Sequence, residues 1–439
     1  MFGQDQSEIS VWLFITRRNN MKTAKFMACV LALVMLVTLG AACTQNAAPK
    51  SSATAKTAEE TKAGKMDETQ ENSANTEAAA QKSEPNEVTT DAAEKVNTTK
   101  QDHPFKLVYL VNGNLGDKGF YDNAASGIYR LRDELGCEVK IIEMGRDETT
   151  YEGYFLDESE KDWDLIISGT WSVKELAEEI AAKYPQKHYL FFDGIVDFDV
   201  ANAKNMMGVT YQSNETAFMG GALAALMLDS GDEKVEKNKR ILGFVGSMDT
   251  PNINDFLIGY IEGIKYIDPE IKLLTSYVGS FEDVPKCLEM TTQMYNQGAQ
   301  IIYAPASQSI LGSVQASADR NKLFIACDND IWGMLHESDQ KGVRNVVSST
   351  MKNIGDSIFN AVQGYIKGDY VLGENYILGI KDGAVGLAEN ANYEKLVPQD
   401  IRSKLNDIAA KISDGSIKVG SAFGMETEKV AELRDGMKP

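Results

Sequence analysis

The chain predicts an α/β fold of two lobes, each a mostly parallel sheet flanked by helices. Two observations predict it. The body from Phe105 to about Met437 runs to roughly 330 residues, long for one hydrophobic core and natural for two. Within it, short β-rich runs alternate with helical periodicity, and that programme is executed twice.

In the first half, strands are expected at Leu107–Val111, Val139–Ile142, Leu165–Ile167 and His188–Phe192. Helical patterns at Tyr121–Leu135 and Val173–Lys183 separate them. A helix over Thr216–Leu228, with Phe218, Gly221, Leu223 and Leu226 spaced for one packed face, leads into the second half. There the expected strands are Ile241–Val245, Lys272–Tyr277, Ile301–Tyr303 and Leu323–Cys327, with helices near Phe256–Lys265, Val284–Gln297 and Ser309–Ala318. The expected lobes are residues 105–209 with 348–380, and residues 210–347 with 381–439.

The first hundred residues read differently. Lys22 and Lys25 precede an apolar run from Phe26 to Leu39, broken only by Thr38, and Gly40, Ala41 and Ala42 lead into Cys43. The pattern resembles a bacterial lipoprotein signal, in which the cysteine is acylated and becomes the mature N-terminus. A retained membrane span is the alternative, but the apolar run falls short of the ~20 residues a span needs. Met21 is a more natural initiator for such a signal than Met1. Residues 1–42 are therefore expected to be removed, taking the formal charge from −20 to −22 with the loss of four basic and two acidic residues. Residues 43–104 are expected to be a lipidated cysteine and a disordered linker. From Thr44 to His103 there is no Phe, Trp, Tyr, Leu, Ile or Cys, so ordering entropy has nothing to offset it. As a flexible coil this stalk spans about 45 Å. The expected location is extracytoplasmic, lipid-anchored to the cell membrane of a Gram-positive bacterium.

Charge and composition exclude several functions. A strongly acidic chain offers no basic stripe for nucleic acid. Cys137, Cys287 and Cys327, an odd count with no close pair, make neither a disulfide framework nor a Cys-rich metal site and read as small buried hydrophobes. His103, His188 and His336 are scattered and are expected at the surface. The Gly-rich stretch Gly113–Gly119 follows a strand but fits neither a phosphate loop nor a dinucleotide fingerprint, and Ser213 and Ser307 lack a nucleophile-elbow context. A binding protein without cofactor or metal, not an enzyme, is the expectation.

In open parallel sheets, ligands collect beyond the C-terminal ends of the strands. Five stretches occupy such places: 117–123, 191–194, 248–256, 327–330 and 348–352, the last on a segment expected to cross back between lobes. In these stretches the chain resembles the basic membrane lipoprotein family, purine-nucleoside-receptor-like substrate-binding proteins of ABC transporters. Asp117–Lys118–Gly119–Phe120–Tyr121 resembles its Asp-x-x-Phe-Asn helix start, and Asp193–Gly194 its Asp-Gly after a strand. Pro251 to Gly259 resembles its Pro-x-Val-x-x-Phe-x-x-Gly stretch, and Tyr277–Val278–Gly279–Ser280–Phe281 is its Tyr-Val-Gly-Ser-Phe intact. Ala326–Cys327–Asp328 stands for Gly-Val-Asp, and Ser349–Thr350–Met351–Lys352 for Thr-Ser-x-x-Lys. The likeness extends from Phe105 to about Leu387.

The resemblance implies a two-lobed periplasmic-binding-protein type I fold behind a lipoprotein signal and disordered stalk. It further implies a monomer that captures a nucleoside-like solute and delivers it to an ABC permease in the membrane. On this implication Phe120 and Phe256 sandwich an aromatic base, Asp193 accepts from the base edge, Asp328 accepts the vicinal ribose hydroxyls and Lys352 donates to a ribose oxygen. Tyr121, Asp122, Asn123 and Trp171 are expected beside the ligand. Each has an ordinary alternative: core packing for the two phenylalanines, a cap or strand end for the aspartates, helix capping and the first turn for Asp122 and Asn123, an apolar contact between lobes for Trp171. Two departures bear on specificity. Tyr303–Ala304–Pro305–Ala306–Ser307–Gln308–Ser309 replaces a glycine-rich turn, and Tyr121 replaces an amide that can both donate and accept. A flavin or sugar as cargo, or a sensory receptor of the same fold serving a membrane signalling partner, are the alternatives.

Overall fold

The computed structural model describes residues 104–117 and 119–439. The expected signal, Cys43 and the stalk lie outside the described residues. Strands run in chain order as β1 (Lys106–Val111), β2 (Glu138–Glu143), β3 (Leu165–Gly169), β4 (Tyr189–Phe192) and β5 (Met206–Tyr211). Then come β6 (Ile241–Gly246), β7 (Lys272–Tyr277), β8 (Ile301–Tyr303), β9 (Leu323–Asp328) and β10 (Val346–Lys352). Two short strands, β11 (Asn375–Leu378) and β12 (Val385–Leu387), follow.

These strands form two six-stranded sheets of one design. The first is ordered β11-β5-β4-β3-β1-β2 and the second β12-β10-β9-β8-β6-β7. Every pairing is parallel except β12, which lies antiparallel on β10. Alternation along β1 shows why the first sheet is covered on both faces. Leu107, Tyr109 and Val111 pack under the helices Phe120–Leu135 and Ile354–Lys367, while Val108 and Leu110 pack under Tyr151–Ser159 and Lys174–Lys183.

The chain passes between the sheets in three places: from Tyr211 to Ser213, from Lys352 to Ile354 and from Leu378 to Val385. The expected change of lobe at residue 348 falls inside β10 and is corrected by it. Ser348–Ser349–Thr350 reads as loop chemistry, yet these residues are fully buried in the second sheet, with Ser348 Oγ donating to the Ala388 carbonyl at 2.9 Å. Polar side chains with internal partners are tolerated in a buried strand, which hides it from a hydrophobicity reading. The strand β5 was likewise not among the expected elements.

Glycines set the helix packing in both lobes. A Cβ on Gly127 would collide with the backbone of Gly355, so the helices Phe120–Leu135 and Ile354–Lys367 approach backbone to backbone. In the second lobe Gly259 and Gly263 do the same against Asn214 and Phe218, joining Pro251–Ile267 to Ser213–Met227. The C-terminal segment wraps the second lobe. Asp255, buried at the start of Pro251–Ile267, accepts from Ser421 Oγ at 2.6 Å and from the Ala422 and Asn214 amides, and Leu273 N donates to the Met437 carbonyl. No helix among the described residues is long and apolar enough to cross a membrane.

His188 corrects the surface expectation. It is half-buried, with Nδ1 2.7 Å from the Tyr365 hydroxyl, and burial lowers its pKa.

Candidate functional site

A cleft of about 470 Å³ opens where the C-terminal ends of the two sheets face each other. Of the expected site residues, Phe120, Tyr121, Trp171, Asp193, Phe256, Asp328 and Lys352 line it. They come from both lobes, and local chemistry explains how each is presented.

Phe120 opens its helix because Asp117 holds the helix start. The Asp117 carboxylate accepts from the amides of Gly119, Tyr121 and Asp122 at 2.9–3.1 Å, satisfying donors that a helix N-terminus leaves free. The half-buried Phe120 ring stacks on Phe192 at 5.7 Å and 24°. Phe256 comes from the second turn of Pro251–Ile267 and is almost wholly buried. Tyr121 turns its ring to the cleft wall and donates to the Asn112 carbonyl at 3.0 Å; burial pushes its phenol up to about 12. Trp171 follows Thr170, whose φ of 78° swings the chain outward, and stays nearly half exposed (46 %) at the cleft.

The electrostatic centre is Lys352, the last residue of β10. Its ammonium lies 2.9 Å from Asp193 Oδ1 of the opposite lobe. It also sits 5.7 Å from the Phe120 ring centre, 5.2 Å from that of Phe256 and 5.6 Å from that of Tyr211. Burial pulls the Lys352 pKa down, but the carboxylates of Asp193 and Asp328 outweigh it and the net shift is upward. Asp328 has a raised pKa, through burial first and then through Asp193, with Lys352 opposing. Among the described residues, two carboxylates against one ammonium leave the centre formally negative, a setting that welcomes hydroxyl and amine donors.

Asp193 and Asp328 are counterparts. Each stands at the C-terminal end of the fourth of five consecutive parallel strands in its lobe, and each has positive φ, 58° and 66°. That left-handed backbone, uncommon outside glycine, turns both carboxylates from the sheet edge into the cleft.

Asp122 and Asn123 do not line the cleft. The Asp122 carboxylate accepts from the Gly116 amide at 2.7 Å and closes the preceding turn. Asn123 ties the lobes together, donating to Asn329 Oδ1 and the Lys352 carbonyl and accepting from Gly355 N at 2.8 Å. Asp122, two residues beyond Phe120, points away from its face of the helix, whereas Asn123, three beyond, shares that face but spends its amide on Asn329, Lys352 and Gly355.

Residues the sequence reading passed over complete the walls. Asn112, Arg146 and Ser172 come from the first lobe, and Ser247, Ser280 and Glu282 from the second. Asn112 Nδ2 donates to Thr170 Oγ1 at 2.7 Å and to Ser172 Oγ at 3.0 Å. Arg146 bridges the lobes to Glu282 at 2.6 Å and lies over the Tyr121 ring at 5.3 Å. All follow strand ends, so applying the strand-end rule to every strand would have found them.

Two α/β lobes joined by three crossing segments, with a charged and aromatic cleft between them, define a solute-binding protein. The chain belongs to the family described as ABC transporter substrate-binding protein PnrA-like, whose model matches residues 105–418. Members of this family are substrate-binding proteins and not enzymes, so the chain is the extracytoplasmic, membrane-associated component that hands a small molecule to a membrane permease. Basic membrane protein A2 of Borrelia garinii subsp. bavariensis is 27% identical over 315 residues, covering 72% of this chain and 88% of the relative. Basic membrane protein D of Borreliella burgdorferi is 27% identical over 311 residues, covering 71% and 86%. These relatives are spirochaetal and give no support to the expected Gram-positive origin. Among solved structures, an ABC transporter solute-binding protein from Aeropyrum pernix K1 aligns with a TM-score of 0.63 at 22% identity, covering 76% of this chain and 98% of that one. A transcriptional activator of the comK gene from Bacillus halodurans aligns at 0.57 and 20% identity, covering 71% and 98%. Such likeness speaks for the two-lobed fold alone.

Proposed function

We propose that the cargo is a nucleoside or a close analogue, captured by a monomeric chain anchored through acylated Cys43 and delivered to an ABC importer. The observation that carries the reading is the grouping of Phe120 and Phe256, from opposite lobes, around one ammonium that is itself paired across the cleft with Asp193. An aromatic base gains offset contacts from such rings, each worth about 0.5–1.5 kcal/mol beyond area burial. Asp328 then meets the ribose, with one carboxylate oxygen for each vicinal hydroxyl, and Lys352 donates beside it. The formally negative centre favours neutral, hydroxyl-rich cargo over phosphorylated cargo. Because Lys352 links Asp193 to the second lobe, cargo that engages these groups favours the closed arrangement.

Calorimetry of the purified chain against nucleosides, flavins and sugars tests this. Micromolar or tighter binding of a nucleoside, lost in Asp328→Ala without unfolding, is the expected outcome. Binding of a sugar or flavin alone would replace the nucleoside reading.

A further inference from the structure

Among the described residues, the Asp328 carboxylate takes one hydrogen bond, from Cys327 Sγ to Oδ1 at 3.6 Å. The thiol is buried and lies 3.5 Å from the Tyr303 hydroxyl, which in turn meets Thr350 Oγ1 at 2.9 Å. Thr350, Cys327 and Tyr303 stand on β10, β9 and β8, three neighbouring strands, so the contacts run laterally through the sheet and end at the cleft.

The direction of this chain follows from its end. An ionised carboxylate only accepts, so the thiol donates to Asp328. Burial pushes the Cys327 pKa well up, and the group keeps the proton it needs as a donor. Its sulfur lone pairs then face the Tyr303 hydroxyl, and each link polarises the next. Asp328 has positive φ, a conformation that side chains other than glycine adopt uncommonly, and a hold from the preceding residue of its own strand restricts where that turn points its carboxylate. The counterpart in the first lobe is held differently: Phe192 precedes Asp193, and Lys352 holds that carboxylate from the other lobe.

We propose that Cys327 is a positioning residue for the cargo-facing carboxylate: its thiol holds Asp328 Oδ1 through one lone pair and leaves a lone pair on each carboxylate oxygen for the ligand. The proposal rests on the reading that Asp328 meets the cargo. Its test uses the full-length chain in detergent and two readouts. Infrared spectroscopy of the S–H stretch, with the Cys327 band assigned by its loss in Cys327→Ala, needs no ligand. A band lowered by hydrogen bonding in the wild type, and moved upward in Asp328→Ala, is expected. Calorimetry with adenosine should show Cys327→Ala weakened about fivefold to tenfold, the scale of one ordinary hydrogen bond, since a thiol is a weak donor. That loss should grow toward acidic pH, because without its donor the carboxylate takes up a proton earlier. Cys327→Ser, which keeps a donor, should regain most of the affinity. A Cys327 band indifferent to Asp328→Ala overturns the proposal, as does wild-type affinity in Cys327→Ala or a serine variant no better than alanine. A wild-type chain that binds neither adenosine nor any other nucleoside sinks the nucleoside reading alone, and the infrared comparison then decides the thiol's role by itself.

Discussion

The two lobes share a strand order and a site plan, yet they hold their aspartates differently. Asp193 in the first lobe is paired with Lys352, which reaches it from the last residue of β10. Among the described residues Asp328 in the second lobe has no such partner at hydrogen-bond distance, and it rests on the thiol of the preceding residue. The phenylalanines differ in parallel. Phe256 is nearly buried in the second core, whereas Phe120 is half-buried and stacks on Phe192. The comparison teaches that one lobe spends its carboxylate on joining the lobes, while among the described residues the other leaves its carboxylate without a cation at hydrogen-bond distance.

The strongest way to break this contrast is to remove the cation. Lys352→Met leaves two carboxylates facing each other with one partner gone, which costs about 3–5 kcal/mol in a denaturant titration. Adding Asp193→Asn should restore much of the stability without restoring cargo binding. If the single variant is as stable as the wild type, the link between the lobes is not the one described.

The phenylalanines come next. Phe256→Ala should lose about 3–4 kcal/mol of stability because it empties a packed site. Phe120→Ala should lose about 1–2 kcal/mol, since less of its ring leaves water. Equal losses in thermal or chemical melts would erase the distinction between a core aromatic and a cleft aromatic.

Asp328→Ala should reduce nucleoside affinity by about 2–3 kcal/mol, roughly 30-fold to 150-fold, measured by calorimetry. Its effect on stability has the opposite sign. The folded pKa of Asp328 is raised from 3.8, so above that value the native state retains a proton that the unfolded chain has released. Stability therefore falls as pH rises through that window, and Asp328→Asn should flatten the decline. A decline unchanged in that variant would assign the pH dependence to another group.

The smallest expected effect lies at the cleft mouth. The Arg146–Glu282 pair is largely exposed, so Arg146→Ala should change stability by less than about 1 kcal/mol, with the difference fading in high salt. A larger, salt-resistant loss would make this pair a second joint between the lobes, comparable to Lys352 and Asp193.

Local pattern was enough for much of the architecture. The doubled βαβ rhythm was legible because apolar runs such as Leu107–Val111 and Ile241–Val245 are short and contiguous, with helical spacing between them. The strand β10 was not, because Ser348, Ser349 and Thr350 satisfy their hydroxyls inside the sheet and look polar in one dimension. The same limit applied to the site. Phe120, Asp193, Phe256, Asp328 and Lys352 carry recognisable local motifs, whereas Arg146 and Glu282 carry none and meet only when two strand ends face each other.

By itself the sequence determined the class of fold, the strand ends where ligand groups gather and the acidic character of the body. Strand periodicity and side-chain chemistry are properties of short segments, and a linear reading reaches them. Only the tertiary structure decided that Lys352 answers Asp193, that Asn123 ties lobes together without entering the cleft, and that Cys327 lies under Asp328 as a donor. The first two depend on distances of about 3 Å between residues far apart in the chain, and the third on how the packed strand turns two neighbouring side chains toward each other.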